Sequence, residues 1–338
     1  MREIAKRIVF ESAERLGLNR LARKWRSGPL LTLCYHGVTR HAPRPDSPNF
    51  GLGIGAGEFR RQMDYLRRNR FEPVSASVVR DFLIHGTELP PRAFLVTFDD
   101  GYKNNLTVAA PILKSFGIPA IVFVSTGYIE TKRFFWFHEM SLRILDWQVD
   151  EIRLPLEDRP AAVPKAPFER RLLARRAVEQ CKTIPNEARL EYLNYLRSQN
   201  LARSVDGNEE FEAMNWDEVR GLGRFGIEVG SHTVEHPILS QLSVPEASAE
   251  LRESKQTIER ELQSPCYALA YPNGRSVDYS GEVAASAREA GYALAFTGED
   301  RLGPDTMSVG RVLVPGELPL SAFAARVSGA QALISKSR

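Results

Sequence analysis

Ala93-Phe94-Leu95-Val96-Thr97-Phe98, followed at once by Asp99-Asp100-Gly101, is an apolar run that ends in two carboxylates and a glycine. The run does not alternate between polar and apolar residues. That pattern suits a strand buried on both faces, as strands of parallel sheets are. Similar runs recur at Leu30–Tyr35, Ile118–Val124, Ile227–Val229, Tyr267–Tyr271, Ala293–Phe296 and Val309–Val314. Helix signals fill the gaps between them. Ser75 precedes Ala76–Leu83, Asn215-Trp216-Asp217-Glu218 has the form of a capping box, and Pro245 opens the Glu- and Arg-rich stretch Glu246–Leu262. Short buried strands alternating with helices predict an α/β fold, a (β/α) barrel either complete or distorted.

Residues 131–212 break this rhythm. The stretch opens with Phe134-Phe135-Trp136-Phe137, passes through a charged, proline-containing segment, and then carries helical runs at Phe168–Cys181 and Glu187–Arg197. It reads as a helical insertion within a domain spanning 29–338, close to the substrate end because it follows a strand directly. Residues 1–28 read as a separate element. Ile4, Ile8, Leu16, Leu18 and Leu21 lie among Lys and Arg in an amphipathic helix. Such a helix either packs on the domain's own surface or associates peripherally with anionic headgroups of a membrane.

The chain of 338 residues is 43% hydrophobic and 26% charged, the balance of a soluble globular protein. A net charge of +3 with scattered basic residues gives no argument for a nucleic-acid partner. Cys34, Cys181 and Cys266 are odd in number and form no CxxC pair, which argues against a disulfide framework and for a reducing compartment. No run approaches the roughly 18 apolar residues that span a bilayer, and the N-terminus lacks the features of a signal peptide. The expected location is therefore cytoplasmic, with the inner face of the membrane as the variant that the amphipathic helix would allow.

Two places carry chemistry. Asp99 and Asp100 stand at a strand end, where one can bind a metal while the other faces water. Ser231-His232-Thr233-Val234-Glu235-His236 follows another strand and spaces two imidazoles by four residues. That spacing predicts a helical turn with both rings on one face, capped by Ser231. Two imidazoles and one carboxylate suit Zn²⁺ or a similar divalent ion and leave a position open for water. The second carboxylate is then available as a base, the equipment of a metal-assisted hydrolase.

The chain resembles the polysaccharide deacetylases of the NodB-homology group, carbohydrate esterase family 4. The residues that carry the resemblance are Thr97–Gly101, Ser231–His236 and Tyr271-Pro272-Asn273-Gly274. It covers about residues 30–130 and 215–315 and implies a distorted or incomplete (β/α) barrel. By the same resemblance Asp99 is the catalytic base, and Asp100, His232 and His236 hold the metal. Two departures stand out. The family's Arg-x-Pro-Tyr is here Ala270-Tyr271-Pro272-Asn273, so the arginine that pairs with the base is missing; Arg311, at a late strand, is the candidate replacement. The backbone N–H of Asn273 takes the place of the tyrosine N–H that steadies the oxyanion. No histidine follows His236 to serve as the family's C-terminal acid. Instead Leu31-Thr32-Leu33-Cys34-Tyr35-His36-Gly37 resembles the rearranged motif order of the poly-N-acetylglucosamine deacetylase branch, with a protonated His36 as the acid.

These assignments imply removal of acetyl groups from an N-acetylated glycan. Tyr102, Trp136 and Trp216 are candidates for stacking on sugar rings or, equally, for the core. His41, His85 and His138 receive no role. A deacylase acting on a small non-glycan amide remains open, as does a catalytically silent glycan-binding module. Intact Asp99, Asp100, His232 and His236 weigh against the latter, because binding alone requires no base beside a metal.

Overall fold

Leu30–Tyr35 (β1) and Ala93–Phe98 (β2) are buried at every residue and run parallel, with Leu30 beside Ala93 and Tyr35 beside Phe98. The computed structural model of the chain describes residues 28–44, 47, 51–199, 210–300, 305–316 and 318–329. The amphipathic segment assigned to residues 1–28 lies almost wholly outside the described residues. Among those described, no helix is long and apolar enough to cross a membrane.

Besides the short Glu72–Pro73 strand that also pairs with β2, five more strands extend the sheet: β3 (Ala120–Val124), β4 (Ile227–Ser231), β5 (Ala268–Ala270), β6 (Leu294–Phe296) and β7 (Val312–Leu313). Their order is β6-β5-β4-β3-β2-β1-β7, and every pairing along it is parallel. Residues just ahead of β7 bring the two edges together. The Val309 N–H donates to Ala295 O, and Val309 O accepts from the Thr297 N–H, both at 2.9 Å. The result is a distorted (β/α) barrel, as the alternating runs predict.

Alternation along the strands sorts the side chains. Leu31, Leu33, Phe94, Val96 and Phe98 pack outward in one apolar cluster with helix residues such as Phe59, Leu66, Leu113 and Leu251. Ala93, Leu95, Phe123, Ala270 and Phe296 form a second cluster, the barrel interior. Continuing that interior parity past the strand ends places His36 and Asp99 at the mouth. Barrel enzymes carry their reacting groups at this C-terminal rim.

The helix signals act locally as read. The Ser75 side chain accepts from the Val78 N–H at the start of α2 (Ala76–His85), which follows α1 (Ala56–Arg68). After α3 (Ala110–Phe116), the chain between β3 and β4 folds into α4 (Trp136–Leu145), α5 (Pro167–Cys181) and α6 (Asn186–Gln199). These three helices bury their own apolar cluster, including Trp136, Ile144, Trp147, Leu173 and Leu196. A capping box at Asn215 and Glu218 begins α7 (Trp216–Gly221), and another at Ser243 and Glu246 begins α8 (Val244–Leu262).

Candidate active site

Asp100 Oδ1 lies 3.7 Å from His232 Nε2 and 3.5 Å from His236 Nε2. These separations are too long for hydrogen bonds and right for joint ligation. Atoms about 2.1 Å from one tetrahedral ion stand roughly 3.4 Å from each other. All three residues are buried, and among the described residues they form the one cluster of His, Cys, Asp or Glu suited to hold a metal. Neither Asp100 oxygen has a partner at full hydrogen-bond geometry, although the Tyr102 hydroxyl is near enough to favour the ionised form slightly. Burial and the neighbouring Asp99 charge raise the Asp100 carboxyl to about 8. A buried carboxylate beside two imidazoles is short of positive charge, which a divalent cation supplies. The residues present fit such an ion.

The imidazoles are held ready. His232 Nδ1 lies 2.7 Å from Ala270 O, so it carries the proton and leaves Nε2 with a free lone pair. The His232 N–H donates to Val124 O at 2.9 Å, and Ser125 Oγ donates to His232 O at 2.9 Å. His236 is fixed at both sides of its own residue: its N–H donates to Thr233 Oγ1 at 3.1 Å, and its carbonyl accepts from Trp136 Nε1 at 3.0 Å. Glu250 of α8 accepts from the N–H groups of Val234 and Glu235 at 2.8 and 3.0 Å. The segment 232–236 is not a helical turn, contrary to the expectation from the spacing. Thr233 and His236 have φ of 68° and 51°, and that left-handed backbone brings the two rings together at 4.7 Å between centroids. Ser231 Oγ still caps locally, accepting from the Thr233 N–H at 3.2 Å.

Asp99 faces Arg311. Nη1 donates to Oδ1 at 2.6 Å and Nη2 donates to Oδ2 at 2.8 Å, with both side chains buried. The guanidinium is itself steered by Thr297 O (2.7 Å) and Thr97 Oγ1 (3.2 Å). Burial alone would raise the Asp99 carboxyl. The Arg311 charge, then His232 and the paired hydrogen bonds, outweigh it and hold the group well below the usual carboxylate range. Asp99 Oδ2 also accepts from Cys34 Sγ at 3.4 Å and lies 4.0 Å from His232 Nε2. Cys34 carries no role in the sequence reading. Its signal was the strand parity it shares with His36.

His36 follows β1 at the same rim, with the Asp99 carboxylate and the Arg311 and His232 side chains close enough to affect its charge. Its carbonyl accepts from Asn105 Nδ2 at 2.7 Å, and its Nδ1 has no partner. Burial lowers the imidazole to about 4, partly offset by Asp99. Burial thus favours the neutral ring at rest. Asn273 sits at φ 58° beside Gly274 at φ 66°. Its side chain donates to Asp278 Oδ2, and its backbone N–H has no hydrogen bond among the described residues. A Cβ on Gly298 would come within 2.4 Å of Asn273 O, so only glycine lets this turn close.

Tyr102, Trp136 and Trp216 do not offer their rings to a sugar. All three are buried. Trp136 holds the His236 carbonyl, while the Tyr102 hydroxyl lies 2.5 Å from His138 Nε2. His138, given no role from sequence, is packed among the aromatic residues beside the site. It is buried, coupled by charge to His36, and packed on Phe137 with ring centroids 4.4 Å apart. Its signal was position, directly after the aromatic run 134–137.

The profile of the polysaccharide deacetylase family matches residues 86–163 and 178–295, more than half of the chain. The chain belongs to this family. A poly-beta-1,6-N-acetyl-D-glucosamine N-deacetylase of Escherichia coli K12 is 29% identical to it over 107 residues, 32% of this chain and 15% of that protein's length. The solved structure of Streptococcus pyogenes deacetylase PplD in complex with acetate has a TM-score of 0.59 at 17% identity, covering 88% of this chain and 97% of that one. IcaB from Ammonifex degensii gives 0.59 at 21% identity, covering 90% and 98%. At these identities the structural likeness is one of fold.

Proposed function

We propose that this family member removes N-acetyl groups from amino sugars of a polysaccharide or oligosaccharide, releasing acetate and leaving a free amine. The observation that carries the proposal is the Asp99 carboxyl, paired twice with Arg311, beside three side chains suited to one divalent ion. Zn²⁺ or a similar ion held by Asp100, His232 and His236 supplies Lewis-acid polarisation and eases the ionisation of water.

The chain's own residues handle protons and charge. Asp99 stays a carboxylate at working pH and accepts the proton of the attacking water. The Asn273 N–H, free of internal partners among the described residues, is the donor assigned to the developing oxyanion. His36, neutral at rest, acts as a relay. It takes up a proton as Asp99 gives it up, and passes that proton to the departing amine. An amine is a poor leaving group, so this protonation is needed before the bond breaks.

Acetate release from N-acetylglucosamine oligomers, measured with metal stripped and with Zn²⁺ restored, tests the reading. The relative's named polymer, linked β-1,6, is the first substrate to try. Metal-dependent acetate release from the oligomer is expected. Release from small N-acetyl amides alone would favour the non-glycan deacylase, and none from either would leave a binding module.

A further inference from the structure

Trp136 is the first residue of α4 and buries its ring between the insertion and the metal-ligand loop. Its indole N–H donates to the His236 carbonyl at 3.0 Å. On its ring the Arg189 guanidinium of α6 sits 4.6 Å from the centroid. Arg189 is buried, its Nη2 donates to Asn186 Oδ1, and its Nε and Nη1 have no partner. Stacking on the indole is therefore its main engagement, which sandwiches Trp136 between α6 and the His236 loop. His236 needs that support. A non-glycine residue at φ 51° is strained and persists only where its surroundings fix it. Thr233 Oγ1 fixes one side of the residue from within the loop, and Trp136 fixes the other from the insertion. Phe135 and Phe137 complete the wall around the His236 ring at 5.5 and 5.2 Å.

We propose that Trp136, clamped by Arg189, is a positioning residue for His236, so that the helical insertion sets the metal affinity of a site whose three ligands all lie on the barrel. The inference rests on the metal-site reading above. Its test reads metal binding to the full-length stripped protein rather than activity.

Trp136→Phe removes the indole N–H and keeps an aromatic ring in place. Competition with a chromogenic chelator should show Zn²⁺ bound about tenfold or more weakly, the scale seen when a group that orients a metal ligand is lost. Trp147→Phe is the control. Trp147 is buried in the same cluster and its indole N–H likewise donates to a backbone carbonyl, that of Glu151 at 3.0 Å, away from the site. It should leave Zn²⁺ affinity unchanged. Should Trp136→Phe not fold, Arg189→Met unclamps the ring without touching it and should weaken Zn²⁺ binding by about two- to fivefold. Wild-type affinity in the folded variant, or equal weakening in Trp136→Phe and Trp147→Phe, overturns the proposal. A wild-type protein that binds no Zn²⁺ overturns the metal-site reading itself.

Discussion

Replacing Arg311 with Met tests how the base is held. The substitution keeps a long apolar stem and removes every donor: two hydrogen bonds to Asp99, one to Thr97 Oγ1 and one to Thr297 O. It leaves Asp99 as a buried carboxylate with its counter-charge gone. Removing one partner of a buried ion pair costs about 3–5 kcal/mol, mostly from the stranded charge. The pH dependence follows from the direction of the shift. In the wild type, Arg311 depresses the Asp99 carboxyl below its unfolded value, so its stabilisation is present above about pH 4 and lost as pH falls through the folded value. In the variant, burial raises the same group above its unfolded value. Folding is then penalised increasingly as pH rises from about 4. The wild-type effect widens the stability gap only below about pH 4; above it the variant's penalty alone widens the gap, by about 1.4 kcal/mol per pH unit up to the raised value. Urea unfolding of metal-stripped wild type and Arg311→Met at pH 4.5 and pH 7 measures the gap. A loss below about 1 kcal/mol at pH 7, or the same loss at both pH values, would refute the argument that a desolvated ion pair organises this end of the barrel.

His232→Ala and His236→Ala should each abolish stoichiometric Zn²⁺ uptake while circular dichroism stays native, because the apolar clusters lie elsewhere. Asp99→Asn should keep the metal and slow acetate release by at least about 10²-fold, the usual scale for lost acid–base help. Loss of metal from Asp99→Asn but not from Asp100→Asn would show the two carboxylates exchanged. His36→Ala should slow acetamide cleavage far more than cleavage of an activated acetate ester, whose leaving group needs no proton. Zn²⁺ affinity should rise with pH up to about 8. Each ion bound below that value displaces the proton that burial and Asp99 keep on Asp100, and affinity falls about tenfold per pH unit lost. A flat profile between pH 6 and 8, read by chelator competition, would mean Asp100 is already ionised.

The strands were legible because parallel barrel strands are buried on both faces and so appear as unbroken apolar runs. The limits were less clear where local chemistry intervenes. The run at Ile118 begins its strand only at Ala120, because the Ile118 N–H closes the preceding helix by donating to Leu113 O and Pro119 has no N–H to give. The juxtaposition of Asp99, Asp100, His232 and His236 was legible from strand-end position, and Arg311 from its place in the last apolar run, directly ahead of β7. Four-residue spacing misled at His232 and His236. Helical periodicity assumes ordinary backbone angles, and nothing in Thr233 announces a left-handed residue. The aromatic candidates misled for a related reason. Residue type does not distinguish a ring that faces solvent from one like Trp136, whose polar edge is spent on a backbone carbonyl.

That same strain accounts for the design of the site. Eight described residues other than glycine have positive φ; Asp100, Thr233 and His236 belong to the candidate metal site, and Asn273 to the turn after β5. Each costs on the order of 1–3 kcal/mol and survives only where neighbours over-determine it. The neighbours here are specific. Gly101 at φ 77° packs so closely on Val124 that a Cβ would lie 2.9 Å from its Cγ1, Glu250 grips two N–H groups between the histidines, and Gly298 admits the Asn273 carbonyl. Strain and the Asp100 carboxyl therefore sit together in a barrel whose strands are mostly apolar and buried. A divalent ion would relieve the electrostatic part, while the hydrogen bonds that impose the backbone part would remain. It would find ligands already close to the separations it needs, with little binding energy diverted to ordering them.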